Sequence, residues 1–290
     1  MSETNHVIVI GAGAAGMLAA IAAAREGAAV ELWEQNEKPG KKLFITGKGR
    51  CNVTNACDME ELLGSVVSNS KFLYSSFYGF TNQDMMDLLE QAGLRLKVER
   101  GNRVFPQSDK SSDVISALSA LLRQAGVRVC LNQKAEGLAV EEGVCKGVRC
   151  GGRIQTADRV IVATGGLSYP TTGSTGDGLK WAADSGHRLT ELSPALVPFE
   201  VKETETVKEL QGLSLKNIEA AVYDGKKELY REFGEMLFTH FGVSGPVLLS
   251  ASSFCAKAIR KRPLRLVIDL KPALSWEQLD ERILRDFSDS

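Results

Sequence analysis

The sequence has no surplus of either charge: 35 lysines and arginines stand against 36 aspartates and glutamates, a formal net charge of −1. That removes any global electrostatic pull toward nucleic acid or an anionic membrane. Its six cysteines (Cys51, Cys57, Cys130, Cys145, Cys150, Cys255) contain no C-x-x-C. A zinc knuckle and a thioredoxin-type pair are therefore excluded, and no metal site is expected. No export signal is expected either. The uncharged run 7–24 has the length of a signal core or membrane span. Glycines at turn positions interrupt it, however, and the residues before it include Glu3 and neither lysine nor arginine. Reduced thiols in a cytoplasm, without membrane association, are the expectation. Repeats and low-complexity tracts are absent. What remains is ordinary for a globular chain, 43% hydrophobic and 24% charged, long enough at 290 residues for one large domain or two smaller ones.

The organising stretch is His6 to Gln35. A β-branched apolar run, Val7 to Ile10, suits a buried strand. Gly11-Ala12-Gly13-Ala14-Ala15-Gly16 follows, then an alanine-rich segment of high helix propensity to about Arg25, ended by Gly27. A second strand, Ala29 to Trp33, delivers Glu34. Gly11 permits the tight turn, Gly13 lets a pyrophosphate approach the backbone, and Gly16 lets the helix pack close to the sheet. The helix N-terminus offers unpaired N–H groups to phosphate, and Glu34 can accept hydrogen bonds from both ribose hydroxyls. Strand, glycines, helix, strand and acid in this order predict a dinucleotide site.

Gln35 to Cys57 reads as a long functional loop, with Lys38, Lys41, Lys42, Lys48 and Arg50 interleaved with Gly40, Gly47 and Gly49. Phe72 to Gly93 reads as helix in two pieces, and Leu94 to Pro106 as a hairpin turning at Gly101-Asn102. A helix is expected over Ser111 to Ala125, capped by Ser111 or Ser112. Val127 to Leu131 is the next strand, and 135–140, 145–149 and 153–155 alternate like an antiparallel meander. Arg159 to Ala163 returns as a buried parallel strand ending in Ala163-Thr164-Gly165-Gly166. Asp177 opens a helix bearing Trp181. From about Phe199 short strands separated by polar turns indicate a second, mainly β region, with domains expected at 1–195 and 196–290. Ser244 is a candidate cap for the helix after it, with Pro246 in its first turn.

This order is the layout of the FAD-binding half of two-dinucleotide-binding flavoproteins. Several stretches together resemble the YhiN/BaiN-type bacterial flavoproteins. These are Gly11–Gly16, Lys41-Lys42-Leu43, Thr46-Gly47-Lys48-Gly49-Arg50-Cys51-Asn52-Val53-Thr54-Asn55, Arg103-Val104-Phe105-Pro106, Ala163–Gly166 with Ser168-Tyr169-Pro170, 172–178, and Leu237-Phe238-Thr239-His240 with Ser244-Gly245-Pro246. The resemblance implies an α/β fold, with a Rossmann-like FAD-binding domain and a β-rich inserted domain. Members of that family finish with a further glycine-rich segment that these residues lack, so the inserted domain is expected to be partial. By the same resemblance Gly11, Ala12, Gly13, Ala14, Ala15 and Gly16 hold the pyrophosphate, and Glu34 with Gln35 serves the ribose. Lys42, Gly49, Arg50, Cys51 and Asn52 line the pyrophosphate and flavin side, Ala135 meets the adenine by its backbone, and Ala163, Thr164, Gly165 and Gly166 close the site.

The expected function is an FAD-dependent oxidoreductase acting on a small organic substrate through non-covalent FAD, with NAD(P)H as a transient electron donor. No second G-x-G-x-x-G is present to form a dedicated nicotinamide domain. His240 is the first choice of proton donor, because a general acid of near-neutral pKa suits hydride chemistry, against the equal reading of a structural histidine bonded to a nearby carbonyl; Tyr169 is the second choice. A competing expectation is an FAD-containing RNA-modifying or RNA-binding protein, motivated by Lys257, Arg260, Lys261, Arg262 and Arg265. Five cations without interleaved aromatics leave nucleic acid the weaker partner. A third is a truncated, non-catalytic flavoprotein fragment. Oligomeric state is left open.

Overall fold

A computed structural model describes residues 4–288. The chain divides into two compact units, Met1–Thr190 and Glu191–Ser290.

In the first unit β1 (His6–Ile10) leads through Gly11–Gly13 into α1 (Ala14–Arg25), and β2 (Ala29–Trp33) returns. Next come α2 (Lys41–Ile45), a 3₁₀ turn (Thr46–Gly49), β3 (Thr54–Asn55), α3 (Met59–Gly64), α4 (Tyr74–Gly79) and α5 (Asn82–Gln91). The hairpin β4 (Leu96–Glu99) and β5 (Arg103–Pro106) precedes α6 (Ser111–Gln124), β6 (Arg128–Cys130), the meander β7 (Gly137–Glu141), β8 (Val144–Cys150) and β9 (Arg153–Thr156), then β10 (Arg159–Val162) and α7 (Asp177–Asp184).

The central sheet runs β10-β1-β2-β6, all parallel. Alternation along its strands sorts side chains to two faces. Val7, Val9, Val30 and Leu32 pack with Met17, Leu118 and Leu122 of α1 and α6. Ile8, Ile10 and Trp33 pack with Val148 of the meander, Ala135 and Trp181. Helices on one face and the meander on the other bury β1 almost completely, which is why its sequence is continuously apolar. The uncharged run 7–24 is thus a strand, a turn and a helix. Among the described residues no helix is long and apolar enough to cross a membrane.

Several local expectations are corrected. The 35–57 segment is not an unstructured loop. It holds α2, whose start is fixed when Gly40 donates to the Ala12 carbonyl at 2.8 Å, and whose Phe44 carbonyl accepts from Ser111 Oγ at 2.7 Å. That second bond uses the hydroxyl expected to cap α6, so Lys110 stands at the cap position with no side-chain bond. β10 is an edge strand and half-exposed, with Val162 39% accessible, because it has a sheet neighbour only on the β1 side. Ser244 is not a cap either: it ends a strand, and Gly245 precedes the helix.

The second unit contains β11 (Phe199–Glu200), α8 (Thr204–Glu209), the long hairpin β12 (Ser214–Asp224) and β13 (Lys227–Phe238), β14 (Gly242–Ser244), α9 (Pro246–Ile259), β15 (Arg265–Asp269) and α10 (Trp276–Ser288). Its sheet is antiparallel in the order β11-β14-β13-β12-β15. Ile218, Ala220 and Met236 pack with Val247 and Leu248 of α9. Pro246 occupies the first turn of α9, where its missing N–H leaves no helical bond unmade.

Candidate functional site

The carboxyl ends of β1, β2 and β10 open into a cleft of about 270 Å3 above the start of α1. This is where parallel α/β sheets bind ligands. The glycine turn that forms its floor is tightly constrained. Gly11 has φ +102°, and a Cβ there would lie 2.6 Å from the Ala163 carbonyl oxygen. A Cβ on Gly16 would lie 1.7 Å from the Gly11 oxygen. Gly13 differs: its Cβ position meets nothing within 4 Å, so the absent methyl leaves open space in the cleft floor. A diphosphate fits such a cradle, because the first N–H groups of α1 have no helical acceptors.

Glu34 is buried, 8% accessible, and lines the same cleft. Its Oε2 accepts the Ala12 N–H at 2.8 Å, and its Oε1 accepts the Asn36 N–H at 2.9 Å. Opposite, Lys42 Nζ donates to Ser174 Oγ at 2.6 Å and Ser168 Oγ at 3.3 Å. Both partners are neutral, and among the described residues no acid forms an ion pair with the ammonium, which brings positive charge to the cleft wall. Gly165 has φ +77°, and a Cβ there would lie 2.7 Å from Ser174 Oγ. Gln35 Nε2 donates to the Gly173 carbonyl at 3.0 Å. The turn after the A-T-G-G run is thereby fastened to the segment that follows Glu34.

Of the residues singled out from sequence, the cleft brings together Gly11, Ala12, Gly13, Ala14, Ala15, Glu34, Gln35, Lys42, Ala135, Ala163, Thr164 and Gly165. Gly16 lies directly beneath, against Gly11. Gly49, Arg50, Cys51, Asn52 and Gly166 are not among its lining residues. Arg50 turns to the β4–β5 hairpin, stacking over Phe105 at 4.1 Å, donating from Nε to Asp109 at 2.8 Å and pairing with Glu99. Lys97 bonds the same Asp109 at 2.6 Å. The hydrogen bond to Arg50 is the chief cause holding the Glu99 carboxyl below its ordinary value; for Asp109 it is the bond to Lys97, then Arg50. Cys51 is buried at φ +60°, and burial pushes its thiol up, away from thiolate chemistry. Asn52, with its amide oriented to satisfy its neighbours, donates to the Thr54 and Val104 carbonyls.

The two proton-donor choices lie outside this cleft lining. Tyr169 is 65% accessible at φ +52°, its carbonyl accepting from the Thr172 N–H and hydroxyl. His240 is exposed in the second unit, edge-on to Phe241 at 4.8 Å. The cleft also contains residues that the sequence reading passed over as contacts: Leu43, Thr46, Gln133, Lys134 and Trp181. Gln133 and Lys134 directly precede Ala135, and Leu43 and Thr46 stand in the same motif stretches as Lys42 and Arg50; those adjacencies were the available signals.

A family model described as the HI0933-like protein Rossmann domain matches residues 5–255. The chain belongs to the HI0933-like family. Its motifs are those of the YhiN/BaiN-type flavoproteins, and its fold is the Rossmann-like α/β architecture of their cofactor domain. This HI0933-like chain is 34% identical over 282 residues to a Clostridium scindens protein named 3-dehydro-bile acid delta(4,6)-reductase, covering 95% of the chain and 66% of that relative. It is 30% identical over 252 residues to the ribosomal RNA dihydrouridine synthase of Escherichia coli, covering 87% and 61%. The chain thus spans less than two thirds of the length of either relative. Among solved structures, the 3-ketosteroid delta1-dehydrogenase of Sterolibacterium denitrificans superposes with a TM-score of 0.52 at 16% identity, over 74% of this chain and 62% of that one. That likeness concerns the fold alone.

Proposed function

We propose that this chain holds FAD non-covalently and serves a flavin-dependent reductase that adds hydride to a carbon–carbon double bond of a small organic substrate. The observation that carries the reading is the cradle: an open Cβ position at Gly13, a buried acid at Glu34, and the Lys42 ammonium bonded to the hydroxyls of Ser168 and Ser174. Gly11 to Ala15 would hold the diphosphate, Glu34 and Gln35 the adenosine ribose, and the backbone about Ala135 the adenine. Lys42 would offset diphosphate charge, while Ala163 to Gly165 would shut out water. Bound flavin supplies two-electron chemistry, and the protein supplies orientation and electrostatics. The relative named as a bile acid reductase supports a conjugated, steroid-like substrate. NAD(P)H is the proposed reductant, and His240 and Tyr169 the proposed proton donors.

The test is direct. The purified chain, loaded with FAD under anaerobic conditions, should lose its yellow absorbance on addition of NADH or NADPH and regain it on addition of an unsaturated steroid ketone. A chain that takes up no FAD would sink the proposal. His240→Ala and Tyr169→Phe should slow reoxidation without altering FAD affinity.

A second reading has a specific observation behind it: two relatives are named ribosomal RNA dihydrouridine synthases. It also requires hydride addition to a carbon–carbon double bond, so the cofactor cleft would serve either substrate. The cationic cluster offers it modest support. Arg262 is paired with Asp224, which Lys261 also faces, Arg260 is paired with Glu191, and Arg265 lies over Tyr223. Reoxidation of the reduced flavin by an RNA fragment but not by the steroid, with salt-sensitive binding of that RNA, would select this reading.

A further inference from the structure

The Glu34 carboxylate is held from two sides. Oε2 accepts the Ala12 N–H, within the glycine turn, at 2.8 Å. Oε1 accepts two donors from a single residue, Asn36 N at 2.9 Å and Asn36 Nδ2 at 2.7 Å. The Asn36 amide is oriented in turn. Its Nδ2 also donates to the Thr172 carbonyl at 3.2 Å, and its Oδ1 accepts from Lys41 Nζ at 3.2 Å. Reversing the amide would set its oxygen against a carboxylate and a carbonyl and its NH2 against an ammonium, so the chemistry of the neighbours fixes the orientation. Gly173 completes the arrangement. A Cβ there would lie 3.1 Å from Asn36 Nδ2 and 2.7 Å from Gln35 Nε2, and its φ is +103°.

We propose that Asn36 is a positioning residue for ribose recognition, fixing the Glu34 carboxylate and tying it to the 168–174 turn of the cleft wall. The proposal rests on the FAD reading given above. A glutamate's terminal torsion is broad, so an acid held at one oxygen can still rotate. Held at both oxygens by three donors, it keeps its remaining lone pair, on Oε2, in a fixed plane, where a ribose hydroxyl can be met without ordering the side chain on binding. Lys41 acts one step further out, by holding the amide that holds the acid. Discrimination in favour of the adenosine diol should therefore depend on Asn36, a residue that meets the carboxylate from outside the cleft lining.

The experiment measures dissociation constants by flavin fluorescence for FAD and for FAD carrying 2′-deoxyadenosine, in wild type, Asn36→Ala and Asn36→Asp. Loss of one hydrogen bond to a charged group should weaken wild-type binding about tenfold or more on removal of the 2′-hydroxyl. The Asn36 variants keep the backbone N–H on Oε1 but lose the Nδ2 donor and its tie to the Thr172 carbonyl, so that ratio should fall well below its wild-type value. A residue with a merely structural role would lower both affinities in proportion and leave the ratio at its wild-type value, and that result would overturn the proposal. If Asn36→Ala fails to fold, judged by circular dichroism, the near-isosteric Asn36→Asp carries the same comparison by placing an acceptor where the donor stood. Wild type that binds no FAD would overturn the cofactor reading itself. Wild type that binds FAD with an unchanged ratio in the variants would overturn the Asn36 proposal alone.

Discussion

At the scale of single residues, the glycines of the first turn separate folding from binding. Gly16 has no room for a methyl group, and Gly16→Ala should destabilise the first unit by about 1–3 kcal/mol or more, as overpacked positions do. Gly13 has room, at φ −80°. Gly13→Ala should keep the melting temperature close to wild type, at a cost of about 1 kcal/mol at most for a helix cap, while FAD affinity falls sharply. Urea denaturation and fluorescence titration of the two variants would show the contrast, and equal loss of stability in both would contradict it. The sequence carried this distinction only in part. G-x-G-x-x-G spacing assigns a duty to each glycine, but which one faces open space depends on where Ala163 arrives from far along the chain. The spacing could also place Glu34 beside a ribose. It could not show that Asn36 occupies one of the acid's oxygens, because asparagine after a strand reads first as a turn residue.

At the scale of elements, the segment 47–51 is the clearest departure from expectation. Gly47, Lys48, Gly49 and Cys51 all have positive φ, two of them without glycine's freedom. Such strain persists only where surroundings over-determine it. Here the Arg50 guanidinium supplies the clamp, joined to Glu99 and Asp109 and stacked on Phe105. The basic-glycine composition pointed to a functional segment. Its direction was not, because the acids that turn Arg50 toward the hairpin lie some fifty or more residues later, and residue spacing does not report such pairings. The two carboxyls are held below their ordinary values in the folded chain. Their contribution is therefore fully present above the unfolded values, about 4, and is lost as pH falls through the lower folded ones. Urea midpoints of wild type and Arg50→Met should differ most at neutral pH and converge below about pH 4. A gap that persists into acid would show that stacking on Phe105, not the ion pairs, is the clamp.

At the scale of the whole molecule, each unit carries its own core, and the tryptophans report on them separately. Trp33 and Trp181 are buried in the first unit, whereas Trp276 is 84% accessible in the second. In a Trp276→Phe variant, emission should therefore follow the cofactor unit alone. FAD at a hundredfold excess over its dissociation constant should stabilise that unit by about 2.7 kcal/mol, moving the thermal transition upward, and an unmoved transition would contradict binding to the folded unit. Trp181 lines the cleft, so its emission should also be quenched on binding. The order of strands and helices was readable because periodicity and glycine placement are local properties. The exposure of β10 was not, since an apolar strand reads as buried whether or not a neighbour stands on its far side.

That edge strand sets a timetable. The β1–β10 pairing joins Val7 to Arg159, and the neighbouring bond from His6 to Asp158 spans 152 positions. Closing so long a loop comes after local helices and hairpins have formed. The glycine turn leaves the ribosome early, yet one wall of its cleft, Ala163 to Gly165 and the 168–174 turn, emerges only with the last third of the first unit. Cofactor affinity should accordingly appear in a single late step, both as the chain is synthesised and as it refolds. In stopped-flow refolding with FAD, flavin quenching should lag the recovery of helical circular dichroism, and simultaneous recovery would mean that the first turn binds before its far wall is in place.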